Sequence, residues 1–231
     1  MAMELTACCP NSALIRNVEE LLAEFYGFDP CATAADHLIN REELADHGDP
    51  LPDPSRGGVL VDDRDKHLFI GLFIHETIFS RLQERDPLTR LDGENIDAFS
   101  VLVEEISHFH LILNRGMNRQ GVSRVELEWQ GEIDKVLLSA HLLRQQSGDS
   151  HLNQLYRLFY FAAETGPAAH YQEASHLAGI FWRRLSESPG LLDSPGGCAL
   201  LRDFLRDMYL SNWGEKTRRL DKQTFPLRPA I

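Results

Sequence analysis

Apolar residues recur three and four apart along most of the chain, the spacing of one helix face. A first helix is expected from residues 11 or 12 to about 25, burying Leu14, Val18, Leu21, Leu22 and Phe25, with Gly27 and Pro30 ending it. The stretch DHGDPLPDPSRGG at 46–58 is rich in proline and glycine and reads as a loop or linker. Over 65–85, Leu68, Phe69, Leu72, Phe73, Phe79 and Leu82 keep helical spacing, and Pro87 closes the segment, so a core helix is expected there. A second core helix is expected at 96–114 on Phe99, Leu102, Ile106, Phe109 and Ile112 or Leu113. A third opens at the capping-box pattern Ser123-x-x-Glu126 and reaches about Gln146, although VELEW at its start also alternates like a strand. A fourth resumes at His151, is broken at Gly166-Pro167 and continues over 168–185; SPGLLDSPGG then turns the chain into a last helix at 199–210.

The fold class this predicts is all-α: a four-helix bundle with extra N- and C-terminal helices. An N-terminal helical segment and linker (1–58) precede the bundle and its C-terminal helix (59–231), together forming one compact domain. At 231 residues, with 43% hydrophobic and 25% charged positions, the chain has the composition of an ordinary soluble globular protein. A formal charge of -12 without a basic stripe argues against nucleic acid as a partner. The opening MAMELTACCP lacks the apolar core of a secretory signal, and no run of about 18 apolar residues offers a membrane span; a cytoplasmic location is expected. Cys8, Cys9, Cys31 and Cys198 contain no C-x-x-C pair, which excludes a zinc-ribbon or rubredoxin-type site and makes a disulfide framework unexpected.

Two E-x-x-H pairs carry the candidate chemistry: Glu105 with His108 on helix two, and Glu173 with His176 on helix four. Residues three apart on a helix share a face, so each pair can present a carboxylate and an imidazole to one point. Both pairs stand among apolar positions, Val101, Leu102, Phe109 and Ile112 for the first and Ala169, Leu177 and Ile180 for the second. A carboxylate on such a face is costly unless it is paired or binds metal. Helical bundles hold two metals with two such pairs and one glutamate from each remaining helix. Glu76 in FIHETIF is the candidate on helix one; on helix three Glu132 is preferred, with Glu126 in reserve and Glu128 directed away from the apolar side. His75, His110 and His170 are expected at the surface, and Tyr156, Tyr160 and Tyr171 are the tyrosines that could approach a metal.

The order Glu76, Glu105/His108, Glu132, Glu173/His176 resembles the ferritin-like di-iron carboxylate superfamily, and EEISHF at 104–109 is similar to its E-E-x-x-H-F helix; the pattern looks nearest to the tRNA-hydroxylase-like members. The resemblance covers about 120 residues as a motif match. It implies a ferritin-like bundle in which helices two and three run parallel, joined by the eight residues 115–122, which span roughly 26 Å when extended. A haem-oxygenase-like helical bundle is the alternative topology. It further implies two iron ions, with manganese the alternative, held by Glu76, Glu105, His108, Glu132, Glu173 and His176. The activity implied is an oxygen-activating oxidase or monooxygenase, with a small organic substrate and an electron donor as partners and a homodimer as a candidate assembly. A non-enzymatic, metal-free helical domain that binds a partner or regulates it is the alternative function.

Overall fold

The computed structural model describes residues 10–27, 32–47, 51, 53, 55–62, 69–148, 151, 154–155, 169–188 and 190–221. The Gly166-Pro167 break, Tyr156, Tyr160, Cys8, Cys9 and Cys31 lie outside the described residues. Helix α1 spans Pro10–Tyr26 and buries Ile15, Val18, Leu22 and Tyr26, one stripe at helical spacing. A 3-10 turn at Ala34–His37 and a short helix α2 (Arg41–Asp46) follow; Asn40 starts α2 with a capping box closed by Glu43. Two strands come next, β1 (Gly57–Asp62) and β2 (Phe69–Ile74), paired antiparallel from Gly57 opposite Ile74 to Asp62 opposite Phe69.

This hairpin corrects the sequence reading. The helix expected at 65–85 is a strand over its apolar first half and a helix, α3, only over Glu76–Glu84. FIGLFI is short, continuous and apolar, and periodicity alone does not separate a buried strand from a buried helix over such a run. Pairing with β1 decides it, and the main chain of Ile39 adds a bond to the carbonyl of Leu72 from the other side. The second half of the turn to the next helix is ordered by Asn95. Its side chain, fully buried, donates to the carbonyls of Arg85 at 2.9 Å and Arg90 at 2.8 Å and accepts from the Asp92 amide at 2.9 Å.

Helix α4 (Ile96–Met117) is the axis of the molecule. It is buried on nearly every side, from Ala98, Phe99 and Leu102 to Ile106, Phe109 and Leu111, because it is packed by α1, α3, the hairpin and α5. Helix α5 (Arg124–Ser147) begins where the capping motif places it, with the Ser123 hydroxyl accepting from the Glu126 amide, and ends on Gly148 in the left-handed region at φ 80°. VELEW is therefore helical. Contacts between the two helices run in opposite senses along the chain: Arg115 meets Glu126, His108 meets Leu127, Ser107 meets Asp134 and Glu104 meets Lys135. The pair is antiparallel, closed by the short connection 118–123, whereas the ferritin-like order implied by the resemblance requires a parallel pair with a crossover.

Helix α6 (Ala169–Ser186) packs on α5 through Ala174, Ala178, Phe181, Trp182 and Leu185. The short α7 (Gly190–Asp193) turns into α8 (Pro195–Leu210), which lies on α1, and α9 (Trp213–Asp221) closes against α6. The described residues thus form a mainly helical bundle with one two-stranded sheet. One hydrophobic core joins Ile15 and Val18 of α1 to Leu201, Leu205 and Leu220 near the other end, so the N-terminal segment shares the core of the rest. No described helix is long and apolar enough to cross a membrane.

Candidate metal centre

Antiparallel packing of α4 on α5 aligns two polar stripes across the helix contact. On α4 the stripe is Glu104, Glu105 and His108; on α5 it is Glu128, Glu132 and Lys135, at helical spacings of four and three. Gly131 lies between them and brings the helices close. A Cβ at that position would stand 3.1 Å from Glu104 Cγ and 3.1 Å from His108 Nε2.

The ligand atoms of Glu104, His108 and Glu128 fall within 4.8 Å of one another, and among the described residues this is the group able to hold a metal ion. Around it the remaining charges are ordered. Lys135 Nζ donates to Glu104 at 3.1 Å and to Glu132 at 2.9 Å. His108 donates from Nε2 to the Leu127 carbonyl at 3.1 Å, and its Nδ1 lies 3.4 Å from Glu105. The cluster forms one side of a cavity of about 650 Å³, whose other walls include Arg56 and Val59 of the hairpin region, Ile112, Arg124, His170 and Tyr171. One ion in contact with Glu104, His108 and Glu128 would therefore still face a space large enough for a small organic molecule.

The electrostatics reflect four carboxylates crowded beside one imidazole and one ammonium. Burial pushes the Glu128 carboxyl up to about 7, and the charges of Glu104 and Glu105 add to this against His108 and Lys135. Burial likewise raises Glu132 despite Lys135. For Glu104 burial acts in the same direction, but Lys135 and His108 outweigh it and hold the group below its ordinary value. Burial disfavours the His108 imidazolium, yet the hydrogen bond and charge of Glu105, with Glu128 and Glu104, carry it to about 9. Burial, then the negative charges of Glu128, Glu104 and Glu105, push the Tyr171 phenol to about 12.

The six residues singled out by sequence divide into two sets. Glu105, His108 and Glu132 belong to this cluster, Glu105 against His108 and Glu132 against Lys135. Glu76, Glu173 and His176 are exposed. Glu76 opens α3, and Leu72 and Phe73 belong to a strand rather than to its helix. Glu173 and His176 flank the buried stripe of α6, which runs through Ala174, Ala178 and Phe181 rather than through Leu177 and Ile180. The di-iron set implied by the resemblance does not fit this arrangement. Glu126, the reserve, is a buried tie between helices: Arg115 reaches it at 2.6 Å and Lys216 Nζ stands 2.9 Å away, an ion pair outside hydrogen-bond geometry. His110, expected at the surface, is buried against Glu19 at 2.8 Å.

Sequence reasoning passed over Glu104 and Lys135, and it directed Glu128 away from the apolar side, whereas the packing of α5 on α4 half-buries it beside Glu104 and His108. A signal was present in the one-turn spacing of Glu104 and His108 and of Glu128 and Glu132. It acquires meaning only when α4 and α5 are known to be neighbours. Comparison with protein-family models, with curated proteins and with solved structures finds no match to this chain.

Proposed function

We propose that the chain is a metal-dependent enzyme acting on a small organic molecule held in the cavity between α4, α5, the hairpin and the start of α6. The observation that carries this reading is the convergence of Glu104, His108 and Glu128 from two helices at the wall of a cavity of about 650 Å³. Two carboxylates and one imidazole, with no thiolate, suit iron or manganese. Iron is the choice implied by the EEISHF segment, and when bound it would supply one-electron and dioxygen chemistry, making the enzyme an oxidase or monooxygenase.

The chain's own residues have definable parts. Glu105 lies 3.4 Å from His108 Nδ1 and holds the ring in place, as a carboxylate behind a metal-binding histidine does; to ligate an ion, Nε2 would give up its proton and the Leu127 carbonyl. Tyr171, protonated at neutral pH, offers a hydroxyl donor at the cavity wall. Arg56 and Arg124 place positive charge at the cavity wall, and Val59, Val101, Ile112 and Leu127 supply the apolar part of its lining.

A second reading, a metal-free helical domain that binds a partner, is favoured by one observation: Lys135 pairs with Glu104 and Glu132, and His108 with Glu105, so most charges in the cluster are already matched. Metal content after anaerobic reconstitution with Fe(II) separates the two. The enzyme reading expects stoichiometric iron that is lost in His108→Ala and in Glu128→Gln and retained in His176→Ala and Glu173→Ala. Iron lost equally from the α6 variants would restore the arrangement expected from the sequence. No iron bound under these conditions would leave the partner-binding domain.

A further inference from the structure

The polar stripe of α4 and α5 holds more carboxylates than one ion needs. Glu104 belongs to the trio that converges on a single point, and it also touches Lys135, which in turn touches Glu132. It therefore stands between two cation positions: one enclosed by Glu104, His108 and Glu128, the other between Glu104 and Glu132. In a dinuclear carboxylate centre a second ion would lie at the latter. Here an ammonium lies there, 3.1 Å and 2.9 Å from the two carboxylates.

We propose that the centre takes one metal ion and that Lys135 is the built-in cation of the second position. The inference rests on the metal-dependent reading above and specifies the number of ions it involves. Three features support it. Lys135 lies on the same helix face as Glu132, three residues on, so the helix itself delivers the ammonium to that carboxylate. The residue is buried, 8% exposed, and its ammonium is held by two carboxylates rather than carried on a surface lysine. An ammonium has three donors and no acceptor, so it balances carboxylate charge but cannot be a ligand; while it occupies the site, Glu104 and Glu132 have no second ion to share. Its removal would leave two carboxylates facing each other without a counter-charge, an expensive state that a divalent ion relieves.

The test uses Mn2+ alone on the full chain, with ions counted per chain by elemental mass spectrometry after gel filtration and electron paramagnetic resonance recorded on the same samples. Lys135→Met keeps the apolar stem and removes the charge. The expected result is one Mn2+ with an isolated-ion spectrum in the wild type, and two with an exchange-coupled spectrum in Lys135→Met. Two coupled ions in the wild type, or one in both proteins, overturns the role given to Lys135 while leaving the metal centre standing. No ion in a folded wild type overturns the metal centre itself. Should Lys135→Met fail to fold, Glu132→Gln replaces it: the count stays at one if Glu132 holds the lysine, and loss of the ion overturns the inference.

Discussion

Gly131 bears on both stability and the site. Replacing a mid-helix glycine by alanine ordinarily gains roughly 0.5–1 kcal/mol of helix propensity. The new methyl would press on Glu104 and His108, each 3.1 Å away, and those side chains must give way. The two effects oppose each other in stability and not in geometry. Gly131→Ala is expected to change the unfolding free energy by less than about 1 kcal/mol. Metal affinity should fall roughly tenfold or more, as when the support of a ligand is disturbed. Denaturant melts and metal titration on the same protein check both halves.

Glu19 gives a residue-scale pH dependence. Burial would raise its carboxyl, but His110, the Thr33 hydroxyl and the Ala34 amide, at 2.5 Å, outweigh this and hold it below the ordinary value of 4.5. For a depressed acid the stability is fully present above the unfolded value and is lost as pH falls through the folded one. Denaturation midpoints should therefore drop below about pH 4.5, and Glu19→Ala should flatten that slope while costing about 3–5 kcal/mol at neutral pH.

At the scale of elements, the C-terminal end of α4 is tied to its neighbours by a buried charge group. Arg115 of α4 bonds Glu126 of α5 at 2.6 Å and the carbonyls of Ser211 at 2.5 Å and Tyr209 at 3.2 Å, joining α8 to the central pair. Lys216 of α9, fully buried, adds a second cation 2.9 Å from Glu126 and stands over the ring of Trp129 at 5.4 Å. One carboxylate thus serves two cations, Arg115 and Lys216, and its loss should be far worse than the loss of the lysine charge. Glu126→Ala is expected to destabilise by about 3–5 kcal/mol, whereas Lys216→Met, which keeps the stem among Trp129 and Tyr209, should be neutral or mildly stabilising. Burial lowers the Lys216 ammonium to about 8 from 10.5, although Glu126 opposes this. Between those values the unfolded chain binds the proton and the folded one does not, so stability should rise as pH goes from about 8 to 10.5. Lys216→Met should abolish that rise, readable in thermal melts across the range.

The same scale explains which element boundaries were legible. Ser123 and Gly148 bracket α5 because a capping hydroxyl and a left-handed glycine act locally, within a turn of the sequence that specifies them. The strand 69–74 was not legible, because its conformation depends on pairing with a separate strand, Val59 standing opposite Leu72, thirteen residues on. On α6 a shift of one or two positions in the assumed buried stripe was enough to put Glu173 and His176 inside the bundle on paper and outside it in fact.

For the whole molecule, the sequence by itself determined a mainly helical bundle, the start and end of its central helices, and the inward placement of Glu105, His108 and Glu132, because hydrophobic period and caps are properties of neighbouring residues. Only the tertiary structure decided that α4 and α5 turn back on each other, that Gly131 lets Glu104, His108 and Glu128 meet, and that Lys135 joins them. The physical reason is that a polar cluster costs too much inside a core unless its members neutralise one another across helices. Which members can do so is fixed by packing direction and helix phase, quantities that no single stretch of the chain contains.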